Sequence, residues 1–473
     1  MLAMIQVYNT MEGHKVDFVP RDAGKVAMYV CGPTVYNYIH LGNARPIVVF
    51  DTIRRYFKYA GYAVTYVQNF TDVDDKIINR AIEEKSSAAA VAEKYIAAYF
   101  EDVQELNVLP ADVHPRVTEH MPQIIALVEQ LLAKGAAYEV NGDVYFAVES
   151  FADYGKLSGR DLEDMQAGAR VQVGEQKRNP MDFALWKAAK PGEPSWESPW
   201  GPGRPGWHIE CSVMSREYLG DGFDIHGGGA DLIFPHHENE IAQAEAASGC
   251  CFARHWLHNG FITVNDEKMS KSLGNFFLLR EILEKFPGDV VRFYLLNTHY
   301  RSPIDFDDEK LQIAAKSLGR IRNAYALLQE LAEQPAADPQ PEASDALRQA
   351  AETLQHCFAA AMDDDFNTAL AIAAIFDFTK AVNTHAAQAE QTAVQEALRL
   401  LEALDEVIAC IKPRQKGLND ELVGKLMDLL IEVRQQARQR KDWGTADYIR
   451  DALKECGIAL EDGADAVRWK ILE

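Results

Sequence analysis

C-G-P-T-V-Y-N-Y-I-H-L-G-N, residues Cys31 to Asn43, is the stretch whose reading decides the fold. It follows a short apolar run, residues 26–30, that reads as a buried strand. It precedes residues 44–60, which read as a helix with apolar positions at Ile47, Val48, Phe50, Ile53, Tyr56 and Phe57. Pro46 suits a first helical turn and Gly61 a stop. A strand, a Gly-bearing turn and a helix opening at His40-Leu41-Gly42-Asn43 predict a phosphate-binding geometry. The N–H groups of a first helical turn attract anions, and Gly42 lets a ligand approach the backbone. The G-x-G-x-x-G fingerprint is absent, so no NAD site is indicated. Cys31 falls at the carboxyl end of a strand, where open α/β sheets place ligands. His40 falls where a helix start meets a triphosphate. Taken alone, the cysteine reads as a small buried hydrophobe and the histidine as a cap.

Outward from this stretch, residues 63–69 read as a second strand ending in Phe70-Thr-Asp-Val-Asp-Asp75. The β-α-β unit predicts a parallel sheet. Helical patterns cover 76–106 and 121–134, and 140–148 reads as a strand near a turn at Asn141-Gly142. Periodicity weakens over 150–206, where 191–206 is a loop by composition. Residues 110–206 therefore read as an insertion in a nucleotide fold. Helical periodicity runs from 290 nearly to 411, broken by a Pro-bearing linker at 334–341. A boundary at 413–417 precedes two helices, 421–441 and 445–456, and a strand-like tail at 467–472. The expected class is α/β: a Rossmann-type parallel-sheet domain over 1–311, a helical bundle over 312–411 and a small C-terminal domain over 412–473.

Composition sets bounds. The 473 residues suffice for two to four domains. At 48% hydrophobic and 25% charged, the chain is an ordinary globular protein. No apolar run approaches the ~18 to 20 residues that span a bilayer. Residues 1–13 lack a basic stretch followed by an apolar one, so no signal peptide is expected. Seven cysteines without framework spacing fit a reducing cytoplasm, with thiols free for a metal. The net charge of -23 argues against an extended nucleic-acid surface. Local contact remains open: Arg434, Arg438, Arg440 and Lys441 form an acid-free run, with Lys412, Arg414 and Lys416 before it.

Two further constellations carry chemistry. Trp207-His-Ile-Glu-Cys211 offers a second thiolate, and Phe234-Pro-His-His-Glu-Asn-Glu240 places His236 and Glu240 one helical turn apart. Two Cys, one His and one Glu suit a tetrahedral zinc site, with His226, His237 and His258 as rival ligands by spacing. In His226-Gly-Gly-Gly-Ala-Asp231 the glycines allow close approach to a ligand, and Asp231 suits a ribose hydroxyl or an amine. In Lys268-Met-Ser-Lys-Ser272, two lysines flank small residues, a loop able to fold over phosphates and neutralise transition-state charge.

Together these stretches resemble the class I aminoacyl-tRNA synthetases, and specifically the cysteinyl-tRNA synthetase family, over nearly the whole chain. His40-Leu41-Gly42-Asn43 matches the family's H-I-G-H turn, and Lys268 to Ser272 is a full K-M-S-K-S. Met28-Tyr-Val-Cys-Gly-Pro-Thr34, Thr71-Asp-Val-Asp-Asp-Lys76, Gly206-Trp-His-Ile-Glu-Cys211 and the segment His226 to Glu240 complete the match. The resemblance implies that Cys31, Cys211, His236 and Glu240 bind one Zn2+, which takes the sulfur of substrate L-cysteine directly. It implies activation of cysteine by ATP, with Mg2+, and transfer to the 3'-terminal adenosine of tRNA(Cys). His40 and Lys271, with Lys268 assisting, would stabilise phosphate charge. Gly42 and Asn43, with Gly229 and Asp231, match nucleotide-pocket positions; Gly32, Thr71 and Trp207 match the amino-acid pocket. The helices after residue 312 resemble an anticodon-binding bundle, and the tail a tRNA-binding extension. A cytoplasmic monomer without membrane contact is expected. Asn43 departs from the pattern, which has a second histidine there. The rival readings are a ligase of the same fold that joins cysteine to an amino sugar, a non-catalytic relative that binds tRNA or nucleotide, and, least favoured, a zinc hydrolase.

Overall fold

Four parallel strands set the position of everything else. Their order across the sheet is Ala253–Asn259, Phe223–Gly229, Lys25–Val30, Ala63–Gln68. The structure, a computed structural model, describes residues 4–160, 177–264, 267–268, 277–334, 336, 338–413, 420–455, 458–462 and 467–471. From Lys25–Val30 the chain moves outward to one edge of the sheet, and from Phe223–Gly229 to the other. The connections thus diverge between the two central strands, and such a switch point leaves a crevice at the carboxyl ends. Met28, Tyr29 and Val30 are all buried, as in a sheet covered on both faces.

The first helix, Leu41–Tyr59, buries Ile47, Val48, Phe50, Ile53, Tyr56 and Phe57 as the periodicity requires. It starts before the apolar pattern at 44–60, at the turn where the sequence opens it, with His40 as its N-cap, so Pro46 lies in the second turn rather than the first. A proline there has no N–H for the Gly42 carbonyl. The stretch 76–106 divides at Lys85, which has a positive φ of 52°, into Asp75–Glu84 and Ala88–Glu105.

The region 137–205 departs most from expectation. The run 140–148 is not one strand. Ala137–Val140 and Asp143–Phe146 form a hairpin around Asn141-Gly142, whose φ values of 52° and 88° suit a tight hairpin turn. Phe183–Ala188 and Gly203–Pro205 extend it to four antiparallel strands, so 203–205 is an edge strand rather than loop. Glycine here marks close approach: a Cβ on Gly206 would lie 1.8 Å from the Ala184 carbonyl oxygen.

Helices Asp308–Glu333, Pro341–Asp363, Thr368–His385 and Gln391–Ile408 follow, and their apolar faces join the core under the first helix. Residues Met1–Lys412 form one compact unit. Pro413–Glu473 forms a second, with helices Asp420–Gln439 and Trp443–Glu455 and an antiparallel pair, Ile458–Asp462 with Val467–Ile471. The strand-like tail therefore has a partner strand that the sequence reading lacked. Arg434 is buried while Arg438, Arg440 and Lys441 are exposed, so the basic run is not one continuous solvated face. No described helix is long and apolar enough to cross a membrane.

A buried ion cluster ties the sheet unit to its helices. Asp51 Oδ1 accepts from Arg54 at 3.1 Å, and Oδ2 from Arg55 and Arg292, each at 2.8 Å. Arg292 also donates to the carbonyls of Ile408 at 2.7 Å and Leu106 at 3.2 Å. Burial alone would raise the Asp51 carboxyl, but Arg292, Arg55 and Arg54 outweigh it and hold the group below its ordinary value. Asp51→Asn leaves three guanidinium groups without their carboxylate and should lower stability by about 3–5 kcal/mol, read as a lower urea midpoint. In the wild type this contribution is present above about pH 4, the unfolded carboxyl value, and is lost as pH falls through the depressed folded value. The variant should lack that component of acid sensitivity.

Candidate active site

Three elements bring four soft and hard donors together at the switch point. Cys31 follows the strand Lys25–Val30, and its N–H donates to Gly227 O at 3.2 Å. Cys211 sits on the buried side of helix Trp207–Leu219. His236 precedes helix Glu238–Ser248, and Glu240 lies in its first turn. The two sulfur atoms are 3.6 Å apart. Cys31 Sγ is 3.5 Å from Glu240 Oε1, which lies 2.9 Å from His236 Nε2. All four donor atoms lie within 4.8 Å of one another.

Of the rival histidines, the geometry retains two and sets one apart. Cys31, His226, His237 and Glu240 form a second, overlapping group within the same 4.8 Å. In it, His226 Nε2 is already engaged with Glu240 Oε2 at 2.7 Å, and His237 Nε2 is 4.0 Å from Glu240 Oε1. His258 joins neither group; it bridges His237 and Thr10, each contact 2.8 Å.

The charge distribution of the first group is specific. Burial, then the hydrogen bond to Cys211, pushes the Cys31 thiol well above its ordinary value. That same hydrogen bond leads the causes that draw Cys211 down to about 6. Burial alone would lower His236, but Glu240 and Cys211 outweigh it and raise the ring to about 10. Burial alone would raise Glu240, but His226 and His236 hold it well below its ordinary value. A divalent cation bound here would displace the protons that these ligands carry, as metal binding to thiols and imidazoles requires.

A cleft of about 320 Å³ opens on this group. Its walls include Cys31, Cys211 and His236 together with His40, Gly42, Asn43, Gly32, Thr71, Trp207, Gly229 and Asp231. Trp207 stacks on His236 with ring centres 4.2 Å apart. The Thr71 hydroxyl donates to buried Glu210 at 2.8 Å. Gly32 N–H donates to Asn69 Oδ1 at 2.9 Å, and a Cβ on Gly32 would lie 1.7 Å from the Asn69 carbonyl oxygen. The glycine triplet is only partly a ligand feature. A Cβ on Gly227 would strike the Phe50 ring at 2.3 Å and one on Gly228 would meet Leu232 and His237, so these two serve packing. Gly229 lines the cleft beside Asp231.

The helix start explains Asn43. His40 Nδ1 accepts from Asn43 N–H, and Asn43 Oδ1 accepts from His40 N–H, both at 3.2 Å. This reciprocal cap needs a short amide at the third helical position. Leu41 N–H is taken by Phe277 O, and Ala44 N–H by His40 O. Among the described residues Gly42 N–H has no acceptor, and such first-turn N–H groups attract anions. Leu279 N–H donates to Ile39 O, so the chain just after the lysine loop is bonded to this turn. The strand Glu267–Lys268 pairs with Ile262–Val264, and Ile262 lines the cleft. Lys271 and the Lys268 side chain lie outside the described residues. The sequence reading gave no role to Asn69, to Glu210 or to His208, whose Nδ1 lies 3.0 Å from His236 Nδ1. Their only signal is adjacency, since Glu210 precedes Cys211 and Asn69 lies two before Thr71.

Residues 17–316 match the family of tRNA synthetases class I (C) catalytic domains, 357–411 the DALR domain and 426–469 the cysteinyl-tRNA ligase anticodon binding domain. The cysteine–tRNA ligase of Desulforamulus reducens is 58% identical, covering 98% of this chain and 99% of its own. That of Carboxydothermus hydrogenoformans is also 58% identical, over 98% of this chain and 100% of its own. Among solved structures, Mycobacterium tuberculosis methionyl-tRNA synthetase with methionyl-adenylate superposes with a TM-score of 0.60 at 19% identity, covering 86% of this chain and 94% of that one. The Agrobacterium radiobacter LeuRS ternary complex does so with 0.62 at 14%, covering 83% and 85%. At such identities the likeness concerns the fold.

The tight seat of Gly32 has a measurable consequence. Gly32→Ala must part the ends of the two strands and should destabilise by about 1–3 kcal/mol. Thermal melting checks this, and alkylation of Cys31 should be faster in the variant.

Proposed function

The chain belongs to the cysteine–tRNA ligase family, and on that premise we propose how its cleft charges tRNA(Cys) with L-cysteine at the expense of ATP. A carboxylate oxygen of cysteine attacks the α-phosphorus, the bond to pyrophosphate breaks, and cysteinyl-adenylate forms. The terminal ribose hydroxyl of the tRNA then attacks the carbonyl carbon and AMP leaves. The observation that carries this reading is a single cleft lined by Cys31, Cys211 and His236 and also by the helix start at His40 and Gly42.

His40 acts as a donor. Its Nδ1 accepts from Asn43 N–H, which assigns the neutral ring's hydrogen to Nε2, the atom that offers it to a phosphate oxygen. Gly42 N–H and the helix dipole add to the same charge stabilisation. Lys271, with Lys268, would neutralise the leaving phosphates, and Mg2+ would accompany ATP. Gly229 and Asp231 would border the nucleotide. Gly32, Thr71 and Trp207 would hold the amino acid, with Thr71 oriented by Glu210.

Cys31, Cys211, His236 and Glu240 are the set that fits zinc. Two unbridged thiols stand 3.6 Å apart in a buried site, far from the ~2.05 Å of a disulfide. Choosing the set with His226 and His237 instead would leave Cys211 idle beside Cys31 and take His226 from the carboxylate it orients. When bound, zinc supplies a Lewis-acid contact that holds a substrate sulfur as thiolate and matches a hydroxyl poorly. Such a site rejects serine at the binding step, so an editing domain is unnecessary. The match of 426–469 to an anticodon-binding domain favours a tRNA acceptor over an amino sugar. The cytoplasm, where free thiols persist, is the compartment this reading requires.

Purified protein should carry about one zinc per chain and catalyse cysteine-dependent ATP–pyrophosphate exchange. Cys211→Ser should lose the metal; stoichiometric zinc in that variant would exclude this ligand set. Lys271→Ala should slow adenylate formation by roughly 100-fold or more while changing cysteine affinity little, as measured by rapid quench.

A further inference from the structure

A lysine lines the cleft and has no part in the reaction above. Lys76 is the second residue of helix Asp75–Glu84, where the positive end of the helix dipole favours an acid over a base. Its neighbours in the chain do not account for it. Asp74, the N-cap, accepts from the Lys76 N–H at 2.9 Å. Asp75 is taken by Lys187 at 3.1 Å and by Arg204. Lys76 itself is exposed, and among the described residues its Nζ has no carboxylate within ion-pair distance. The ammonium stands 5.5 Å from the centre of the Tyr36 ring, a cation–π distance. Tyr36 also lines the cleft, and its backbone is fixed there. Its N–H donates to Thr34 O at 3.1 Å, and its carbonyl accepts from Arg80 Nε at 3.2 Å. Val35 N–H donates to Thr71 O at 3.1 Å, so the turn that carries the ring is tied to the segment leading into the lysine's helix.

What such a lysine lacks is an anion. The chain carries a net charge of -23, so an anionic substrate gains from each local cation on its way in. In the proposed reaction ATP has His40, the Gly42 N–H and the lysines at 268 and 271, while the RNA acceptor has no cation assigned to it. Its terminal ribose hydroxyl cannot reach the adenylate carbonyl without bringing the phosphodiester of the last nucleotide into the cleft. A lysine is a point charge suited to one such phosphate.

We propose that Lys76 Nζ binds the phosphodiester that links the last two nucleotides of the tRNA, and so seats the acceptor end for transfer while taking no part in adenylate formation. This rests on the tRNA-charging reading of the cleft.

The test uses the full-length protein and separates the two steps. Cysteine-dependent ATP–pyrophosphate exchange reads the first, and single-turnover transfer from preformed adenylate reads the second. Lys76→Gln should slow transfer at subsaturating tRNA by roughly 10- to 100-fold, the loss expected for one charge-assisted bond, and Lys76→Arg should recover most of it. Exchange needs no tRNA and should change by less than about twofold. The plot of log transfer rate against log salt should be shallower by about 0.7 in Lys76→Gln. A tRNA with one uncharged methylphosphonate at its terminal linkage is the direct probe. It should be a poorer substrate for wild type by a similar factor, and no poorer than ordinary tRNA for Lys76→Gln. Equal losses in exchange and transfer would assign the lysine to ATP and overturn the proposal, as would transfer at the wild-type rate. A methylphosphonate penalty as large in Lys76→Gln as in wild type would put the contact elsewhere and overturn it too. Wild-type protein without exchange would overturn the tRNA-charging reading, and this proposal with it.

Discussion

Gathering two sulfur atoms, an imidazole and a carboxylate at the wall of one cleft is the constraint on which the rest of this structure depends. Each of these groups is costly to bury alone, and they become tolerable only in one another's company. The company must be exact in position, and the parallel sheet supplies that. The ends of two adjacent strands deliver Cys31 and the turn toward Asp231, while two helices packed behind them deliver Cys211 and Glu240. Gly32 and Gly227 allow the backbones to approach as closely as the cluster needs, one against Asn69 and the other against Phe50.

The same economy recurs at a distance from the cleft. Arg45 is buried in the first helix and donates to the carbonyls of Phe261 at 2.7 Å and Tyr300 at 3.1 Å, and also to Ser302. Phe261 lines the cleft and Tyr300 O accepts from the neighbouring Gly260 N–H, so a residue with no part in the chemistry holds one stretch of its wall. Asp51 does the corresponding work between the first helix and the segments around 106 and 408. Both charged groups are compensated by geometry that only the finished fold provides.

What could be read in the sequence follows from which features are local. The strand, turn and helix around Cys31 to Asn43 were legible because period, proline and glycine act within a few residues. The pair His236 and Glu240 was legible because four residues make one helical turn. The choice between His226, His237 and His258 was not, since it depends on which side of Glu240 each ring reaches. The strands Phe183–Ala188 and Gly203–Pro205 were obscured because glycine and proline usually mark turns, whereas here they mark an edge and a close crossing. The reciprocal cap was not legible, because Asn43 reads as a ligand residue until its bond with His40 is seen.

Cys31 and Glu240 are 209 positions apart, though their side chains meet. On a ribosome adding about 5–20 residues per second, roughly 10 to 40 s separate the synthesis of the first donor from that of the last. Throughout that interval the amino-terminal thiol has no finished pocket to enter. If the four donors hold an ion, its capture is a late event in biogenesis, and a reducing environment would keep that sulfur from oxidation until its companions emerge.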